Sequence, residues 1–424
     1  MPEEIKRYKK LVFVDGNEGK NNNKVYIMKE NSDSTFTVEW GRIGNPLTQT
    51  TYASREWDKK YREKTKKGYV DVTDLHAISK VISKGPKDFW LSPNRSKEVK
   101  EFVELLQNLA KKSIGENYTV KVEEVSKKQV DRAQQLLDEF SGIDVENHSD
   151  IVSLNNKLLE FFGVIPRRMK RVSDNLLSTT ETDKLKLAKR WSSILEDEQK
   201  TLDVMAGQVA LQTTEDEAVN ENEEITDQRD LLDLFGLEME EVTDPSIISM
   251  IKSKMQSKSG MFRKAFKVKN IKTQKGFDEF VDKANNKLVD LLWHGSRSEN
   301  WWSIFEKGLI AKFPGAINCG SMLGSGNYFA SEYDKSLGYT SISGSRWSGG
   351  GNNKAYLGLY SVHLGKQLIR EHSDSSLNAN KMDQLGYDST WGKKGKALMR
   401  DEFVIYKTGQ STIQYLIEVE GSQY

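Results

Sequence analysis

The sequence predicts a multidomain α+β protein: a small β-rich domain, an α-helical bundle, and a domain built on a mixed or antiparallel β-sheet. Two observations carry this reading. The apolar period changes twice along the 424 residues, from alternation to helical spacing and back to alternation. An acidic stretch almost free of large apolar residues, Gln212 to Gln228, separates the second block from the third. A chain of this length has room for roughly two to four domains.

The first block opens on short β patterns. Leu11-Val12-Phe13-Val14 and Val25-Tyr26-Ile27-Met28 flank a Gly/Asn-rich loop, Gly16 to Asn23, which reads as a hairpin connection. Phe36-Thr37-Val38-Glu39-Trp40 alternates and ends at Gly41. Ser54 then offers an N-cap for a helix with Trp57, Tyr61 and Thr65 on one face, closed by Gly68.

From about Lys97 to Gly207 the spacing is helical. Phe102, Leu105, Leu106 and Leu109 form one stripe; Val130, Ala133, Leu137 and Phe140, after a Ser126 cap, form another. Leu154, Leu158, Phe161 and Phe162 form a third, stopped by Gly163 and Pro166, and Trp191, Ile194, Leu195, Leu202 and Met205 continue the pattern. Core packing of a bundle explains all four stripes.

The acidic stretch reads as a mobile linker. Beyond it Leu237 and Met239 alternate with glutamates, and Asp244-Pro245 supplies a cap and first-turn proline. Ile413, Tyr415, Ile417 and Val419 face one way while Gln414, Glu418 and Glu420 face the other, the mark of an antiparallel sheet buried on one face.

Composition narrows the function classes. Hydrophobic residues at 37% and charged residues at 29% suit an ordinary globular chain. No apolar run approaches a membrane span, and the opening MPEEIKRYKK lacks the apolar core of a signal peptide. A soluble intracellular protein without membrane contact is expected, nuclear in a eukaryote and in the cytoplasm or nucleoid of a bacterium. The lone Cys319 excludes an internal disulfide framework and multi-cysteine zinc sites, and with five histidines no metal is expected. The net charge of +1 hides segregation. Lys59, Lys60, Arg62, Lys64, Lys66 and Lys67 crowd one segment, and Glu215, Asp216, Glu217, Glu221, Glu223 and Glu224 another.

Three C-terminal segments can carry chemistry. Leu291-Leu292-Trp293-His294-Gly295-Ser296-Arg297 ends a strand on a histidine, followed by a glycine that admits a ligand to the backbone. Gly324-Ser325-Gly326-Asn327-Tyr328-Phe329-Ala330, followed by Ser336 and Tyr339, offers close backbone approach and two rings able to sandwich a planar heteroaromatic. It lacks the third glycine and the βαβ setting of a dinucleotide fingerprint. Asp401-Glu402-Phe403-Val404-Ile405-Tyr406 places a carboxylate at the start of a strand. Taken singly, the segments read first as a satisfied core histidine, a glycine turn with aromatic core residues and a solvated glutamate.

Together, their order and context resemble the catalytic domain of the poly(ADP-ribose) polymerases. GLEMEEVTD, LLWHGSRSENWW, GSGNYFAS and DEFVIY carry the likeness over roughly Leu231 to Tyr424. TFTVEWGRIG with the helix holding Trp57 and Tyr61 resembles a WGR domain, and SKKQVDRAQQLLDEF with NKLLEFFGVIPRR is similar to the family's helical regulatory domain. The resemblance divides the chain into a WGR domain (1–96), a helical regulatory domain (97–211), an acidic linker (212–228) and an ADP-ribosyltransferase domain (229–424).

The resemblance implies a poly-ADP-ribosyltransferase that uses NAD+ as substrate, without a metal, and modifies acceptor proteins including itself. His294, Tyr328 and Glu402 would be its triad. His294, Gly295, Ser296, Tyr328, Ser336 and Tyr339 would hold NAD+, with Gly295 and Ser336 on the carboxamide and Tyr339 and Tyr328 on either side of the nicotinamide ring. Glu402 at that position goes with chain elongation. Ile310-Ala311-Lys312-Phe313-Pro314 departs from the basic-residue placement of larger members, which leaves the adenine side unassigned. The WGR likeness implies binding of DNA ends or nicks near Trp40 and Arg42, and the helical block implies autoinhibition released by DNA. Two other readings stay open: a mono-ADP-ribosyltransferase acting on protein or nucleic-acid ends, and a DNA-binding scaffold whose catalytic domain has lapsed.

Overall fold

The computed structural model describes residues 7–421 except 18–19, 76–90, 149, 221–229, 310–321, 346–349 and 397. The stretch 310–314 discussed above lies outside the described residues, as does the second half of the acidic stretch. The chain forms two compact units: 1–87 with 112–212, and 88–111 with 213–424.

In the first unit, β1 (Tyr8–Asp15) and β2 (Asn22–Glu30) make the expected hairpin, followed by β3 (Thr35–Arg42) and β4 (Thr48–Ala53). After the helix α1 (Trp57–Thr65), β5 (Val70–Asp71) completes a sheet of order β4-β3-β2-β1-β5. Leu11, Tyr26, Met28, Phe36 and Val38 pack on Trp57 of α1. Ser54 begins a turn of 3-10 helix rather than capping α1, and its side chain makes no cap bond. Gly68, at φ +86°, closes the helix as expected.

The helix α2 (Lys97–Asn117) is divided between the units at Lys111. Its buried stripe is Val99, Phe102, Val103, Leu106 and Ala110, with Leu105 exposed, so the face lies one step from the expected one. The first unit continues with α3 (Lys127–Ser141), α4 (Ile151–Val164) and most of α5 (Lys184–Asn220), which runs past the unit's boundary at Gln212. Ser126 and Gln129 form a capping box at α3, and Asp150 caps α4. Phe140 and Trp191 pack as tilted rings with centroids 5.7 Å apart and anchor α3 to α5. Because α5 runs on to Asn220, the acidic stretch begins as helix rather than as linker.

The second unit holds two sheets. Helices α6 (Leu231–Leu234), α7 (Pro245–Met255) and α8 (Ile271–Lys283) accompany the strands β6 (Leu237–Glu241), β7 (Phe262–Asn270) and β8 (Val289–Gly295). Then come α9 (Trp301–Lys307), β9 (Asn327–Phe329), α10 (Tyr333–Leu337), β10 (Lys354–His363), β11 (Gln367–Arg370), α11 (Ala379–Leu385), β12 (Ser389–Gly392), β13 (Glu402–Ile405) and β14 (Ser411–Glu420). One sheet runs β6-β7-β14-β10-β8, wholly antiparallel; the other runs β11-β12-β13-β9, with only β11 and β12 parallel. Asp244 caps α7 with Pro245 at its first turn, as the sequence implies. No helix among the described residues is long and apolar enough to cross a membrane.

The larger sheet is buried on both faces. Ala265, Leu357, Ile417 and Val419 join Trp293 in one core cluster. On the other face, Phe102 of α2 packs on Phe266 and Tyr356 at 5.0 and 4.9 Å between centroids. Glu418, expected on a solvated face, lies opposite Tyr356 on this covered face and is 6% exposed. The carboxylate stays satisfied because it accepts from Tyr356 Oη at 3.1 Å and Lys354 Nζ at 3.2 Å.

Candidate active site

The two sheets of the second unit meet where Trp293 and Ala330 exchange backbone hydrogen bonds of 2.8 and 3.0 Å. That junction places the end of β8, the strand β9 and the start of β13 side by side. His294 stands at the end of β8, opposite Gly358 of β10. Its Nδ1 lies 3.0 Å from the Tyr328 carbonyl. A carbonyl can only accept, so Nδ1 carries the proton and Nε2 keeps its lone pair for an incoming hydroxyl. Burial pulls the ring's pKa below the usual histidine value, and the carbonyl bond partly offsets it. Phe329 and Tyr360, at 5.6 and 5.8 Å, fix the ring plane.

Gly295 is required by close packing. A Cβ there would overlap the Ser336 carbonyl oxygen and lie 2.8 Å from its carbon. The missing side chain lets β8 and α10 touch through their backbones. Ser336 is buried on α10, and Tyr339 follows it with 40% of its surface exposed. Ser296 accepts a 3.4 Å hydrogen bond from Asn300 Nδ2.

Tyr328 is fixed at its tip. Its hydroxyl donates to the Gly324 carbonyl at 2.8 Å and accepts from Leu323 N–H at 3.0 Å. Burial pushes its pKa up. The phenol is thereby committed to the turn 322–326 and offers a ring face rather than a proton. Gly324, at φ +82° and packed on the Leu377 carbonyl, makes that turn possible.

Register brings Glu402 to the same place. β13 pairs Val404 with Tyr328 and Phe403 with Phe329, so Glu402 falls beside the junction. It is 6% exposed. Lys335 Nζ of α10 donates to Oε1, and Oε2 is buried without a hydrogen-bond partner among the described residues. Sequence reading missed Lys335. The only signal was its place next to Ser336, and a five-residue helix is too short for periodicity to show which side chains face inward.

The structure thus brings His294, Gly295, Tyr328, Ser336 and Glu402 together in the second unit, while Trp40 and Arg42 belong to the first. Trp40, on β3 opposite Tyr26, is 43% exposed, so it is a surface residue rather than core. Lys64 Nζ sits 4.2 Å from the ring centre of Tyr26, the cross-strand partner of Trp40, and Lys60, one turn earlier on α1, sits 4.5 Å from Tyr52. Burial and the neighbouring Lys67, with Lys24 and Lys60, draw the pKa of Lys64 down against the pull of Glu63. Arg42 is engaged within its own unit: it donates to Asn21 O at 2.8 Å, Asn21 Oδ1 at 3.2 Å and Met169 O at 3.4 Å.

Comparison with known proteins places two segments of the chain in known domain families. Residues 9–75 match the WGR domain and residues 245–398 the poly(ADP-ribose) polymerase catalytic domain. Putative poly [ADP-ribose] polymerase-like 100L of Invertebrate iridescent virus 6 is 32% identical over 162 residues, covering 37% of this chain and 84% of that protein. Uncharacterized protein 101L of the same virus is 30% identical over 213 residues, covering 50% of this chain and 82% of that one. Poly [ADP-ribose] polymerase 2-B of Oryza sativa subsp. japonica is 24% identical over 454 residues, covering 95% of this chain and 70% of the plant protein. Fold and matches together define an ADP-ribosyltransferase that consumes NAD+. The chain belongs to the poly(ADP-ribose) polymerase family.

Proposed function

We propose that this enzyme builds poly(ADP-ribose) on acceptor proteins, itself included, and that DNA ends or nicks switch it on through the WGR domain. The carrying observation is the Glu402 carboxylate, which is buried, held at one oxygen by Lys335 and without a hydrogen-bond partner among the described residues at the other. Such a group can accept a hydroxyl of the nicotinamide ribose and stabilise positive charge as the glycosidic bond breaks. Nicotinamide departs with the bonding electron pair. The acceptor oxygen then bonds the anomeric carbon, and its proton is released.

In this reading His294 Nε2 orients NAD+ through a ribose hydroxyl. Gly295 and Ser336 take the carboxamide, with Ser296 alongside. Tyr328 and Tyr339 flank the ring. These are positioning effects, which lower a barrier by holding reactants in the reactive geometry.

Support for DNA recognition comes from Trp40, an exposed indole in the same sheet as the tyrosines that brace Lys60 and Lys64. That arrangement suits a phosphate backbone with a sugar or base packed on the indole. The helical block is the proposed inhibitor. A hundredfold activation needs about 2.7 kcal/mol of differential DNA affinity for the open state. The test measures nicotinamide release by the full chain with and without nicked DNA, and resolves the products on a denaturing gel. A ladder that appears only with DNA supports the reading. A single added unit overturns polymer formation, and equal rates overturn the gating.

A further inference from the structure

The Glu402–Lys335 pair has charged neighbours that the mechanism above does not use. Two residues before Glu402, Arg400 reaches the same short helix. Its Nη2 donates to Asp334 Oδ2 at 3.5 Å, and its Nε lies 3.6 Å from Glu332 Oε2. Glu332 is the residue capping α10, and Asp334 precedes Lys335 in it. Two ties therefore run between α10 and the lead-in to β13: Asp334 to Arg400, and Lys335 to Glu402. Three atoms of this cluster, Asp334 Oδ1, Arg400 Nη1 and Glu402 Oε2, are buried without hydrogen-bond partners among the described residues. In a low-dielectric network of this kind the bonds reinforce one another, so losing one weakens the rest.

We propose that Arg400 is a positioning residue for ADP-ribosyl transfer: by holding Asp334 and Glu332 it keeps the Lys335 ammonium on Glu402 and α10 seated beside the reacting ribose. The inference rests on the reading of Glu402 given above.

The charges explain why Arg400 is needed. The described side chains that make up the cluster are Glu332, Asp334 and Lys335 at α10 with Arg400 and Glu402 at β13. Tyr328 of β9 and Gly392 of β12 face Glu402 without charge, and the neighbouring Asp401 carboxylate is taken by the Lys394 amide at 2.7 Å. Two cations thus serve three carboxylates. Without Arg400, one cation would serve three, and Asp334 and Glu332 would compete with Glu402 for Lys335. The ammonium would leave the reacting centre, and α10 would lose its second tie. Because α10 also carries Ser336, against which Gly295 packs, a shift of this helix reaches the proposed carboxamide site too.

The test follows nicotinamide release from NAD+ by the full chain in R400Q, R400K and the double variant R400Q/D334N, with wild type and E402Q as references. R400Q should lower kcat by roughly 10–100-fold, the scale set by displacing reacting groups by about an ångström, with a smaller effect on the KM for NAD+. R400K keeps the cation and should stay close to wild type. D334N removes the competing carboxylate and should return most of the activity to R400Q. That rescue separates charge from bulk, since a purely structural arginine would gain nothing from the second change. Wild-type kcat in R400Q, or a double variant no faster than R400Q, overturns the inference. Turnover in wild type that persists in E402Q overturns the reading of Glu402 instead.

Discussion

Gly295→Ala is the smallest change that tests the site's architecture. It adds one methyl group at the contact between β8 and α10. The new carbon would stand 2.8 Å from the Ser336 carbonyl carbon, with the oxygen nearer still. Ordinary carbon contacts are ~3.5–4.0 Å, so the two backbones must part by roughly 1 Å. Neither side can give way by rotating a side chain, because both partners are main chain. The displaced helix carries Ser336 and Lys335, and through Lys335 it disturbs Glu402. Misplacement on this scale costs on the order of 100-fold in turnover. Gly351→Ala is the matched control, for a Cβ there meets nothing within 4 Å. Nicotinamide release by both variants, with thermal melts to confirm folding, gives the answer. A folded Gly295→Ala enzyme with wild-type turnover would refute the claim that β8 and α10 must touch for catalysis.

Three further outcomes follow from the same geometry. Glu402→Gln keeps the shape but removes the charge, so transfer should fall by ~10²–10³ while calorimetry still detects NAD+ binding. Trp40→Ala and Arg42→Ala should separate: loss of the exposed indole should weaken DNA binding with little change in melting temperature. Arg42→Ala breaks the bonds to Asn21 and Met169 and should also destabilise its unit by about 1–3 kcal/mol, readable in denaturant melts. Within the bundle, Arg167 Nε meets Glu198 Oε2 at 3.1 Å, and both side chains are largely buried. Arg167→Met should cost ~3–5 kcal/mol by stranding the glutamate, whereas Arg167→Met with Glu198→Leu should recover much of it. Urea titration of the two variants measures the difference.

The sequence was most readable where candidate residues stand in short stretches of strand and glycine. His294 with Gly295 and Asp401 with Glu402 each sit at a strand end, so a few adjacent residues suffice to single them out. Alternation at 413–419 and the caps at Ser126 and Asp244 were legible for the same reason, since their causes are local. What escaped depends on partners far along the chain. Lys335 is an ordinary surface lysine until the register of β13 brings Glu402 to it. Glu418 looked solvated because nothing near it announces that α2, some three hundred residues earlier, covers that face. Ser54 failed as a cap because the chain turns through a 3-10 segment before Trp57, a choice made by tertiary packing over propensity. The exposure of Trp40 could not be read from its alternation with Val38, which predicts a buried residue equally well.

The packing of α2 also bears on the order in which the molecule is made. The stripe Val99, Phe102, Val103, Leu106 and Ala110 leaves the ribosome well before Phe266 and Tyr356, the rings that cover Phe102. In the meantime the strands and helices of the first unit, complete by residue 212, have everything they need to fold. The second unit is therefore assembled from a segment that waits and one made much later, with β14, the last strand of its sheet in chain order, entering between β7 and β10. A chain truncated before β14 would strand the apolar face of α2 beside an open sheet edge, the combination most prone to aggregate. Conversely, a C-terminal piece begun after the acidic stretch would leave Phe266 and Tyr356 bare. The waiting helix makes the catalytic unit depend on residues that a boundary drawn at 229 would discard.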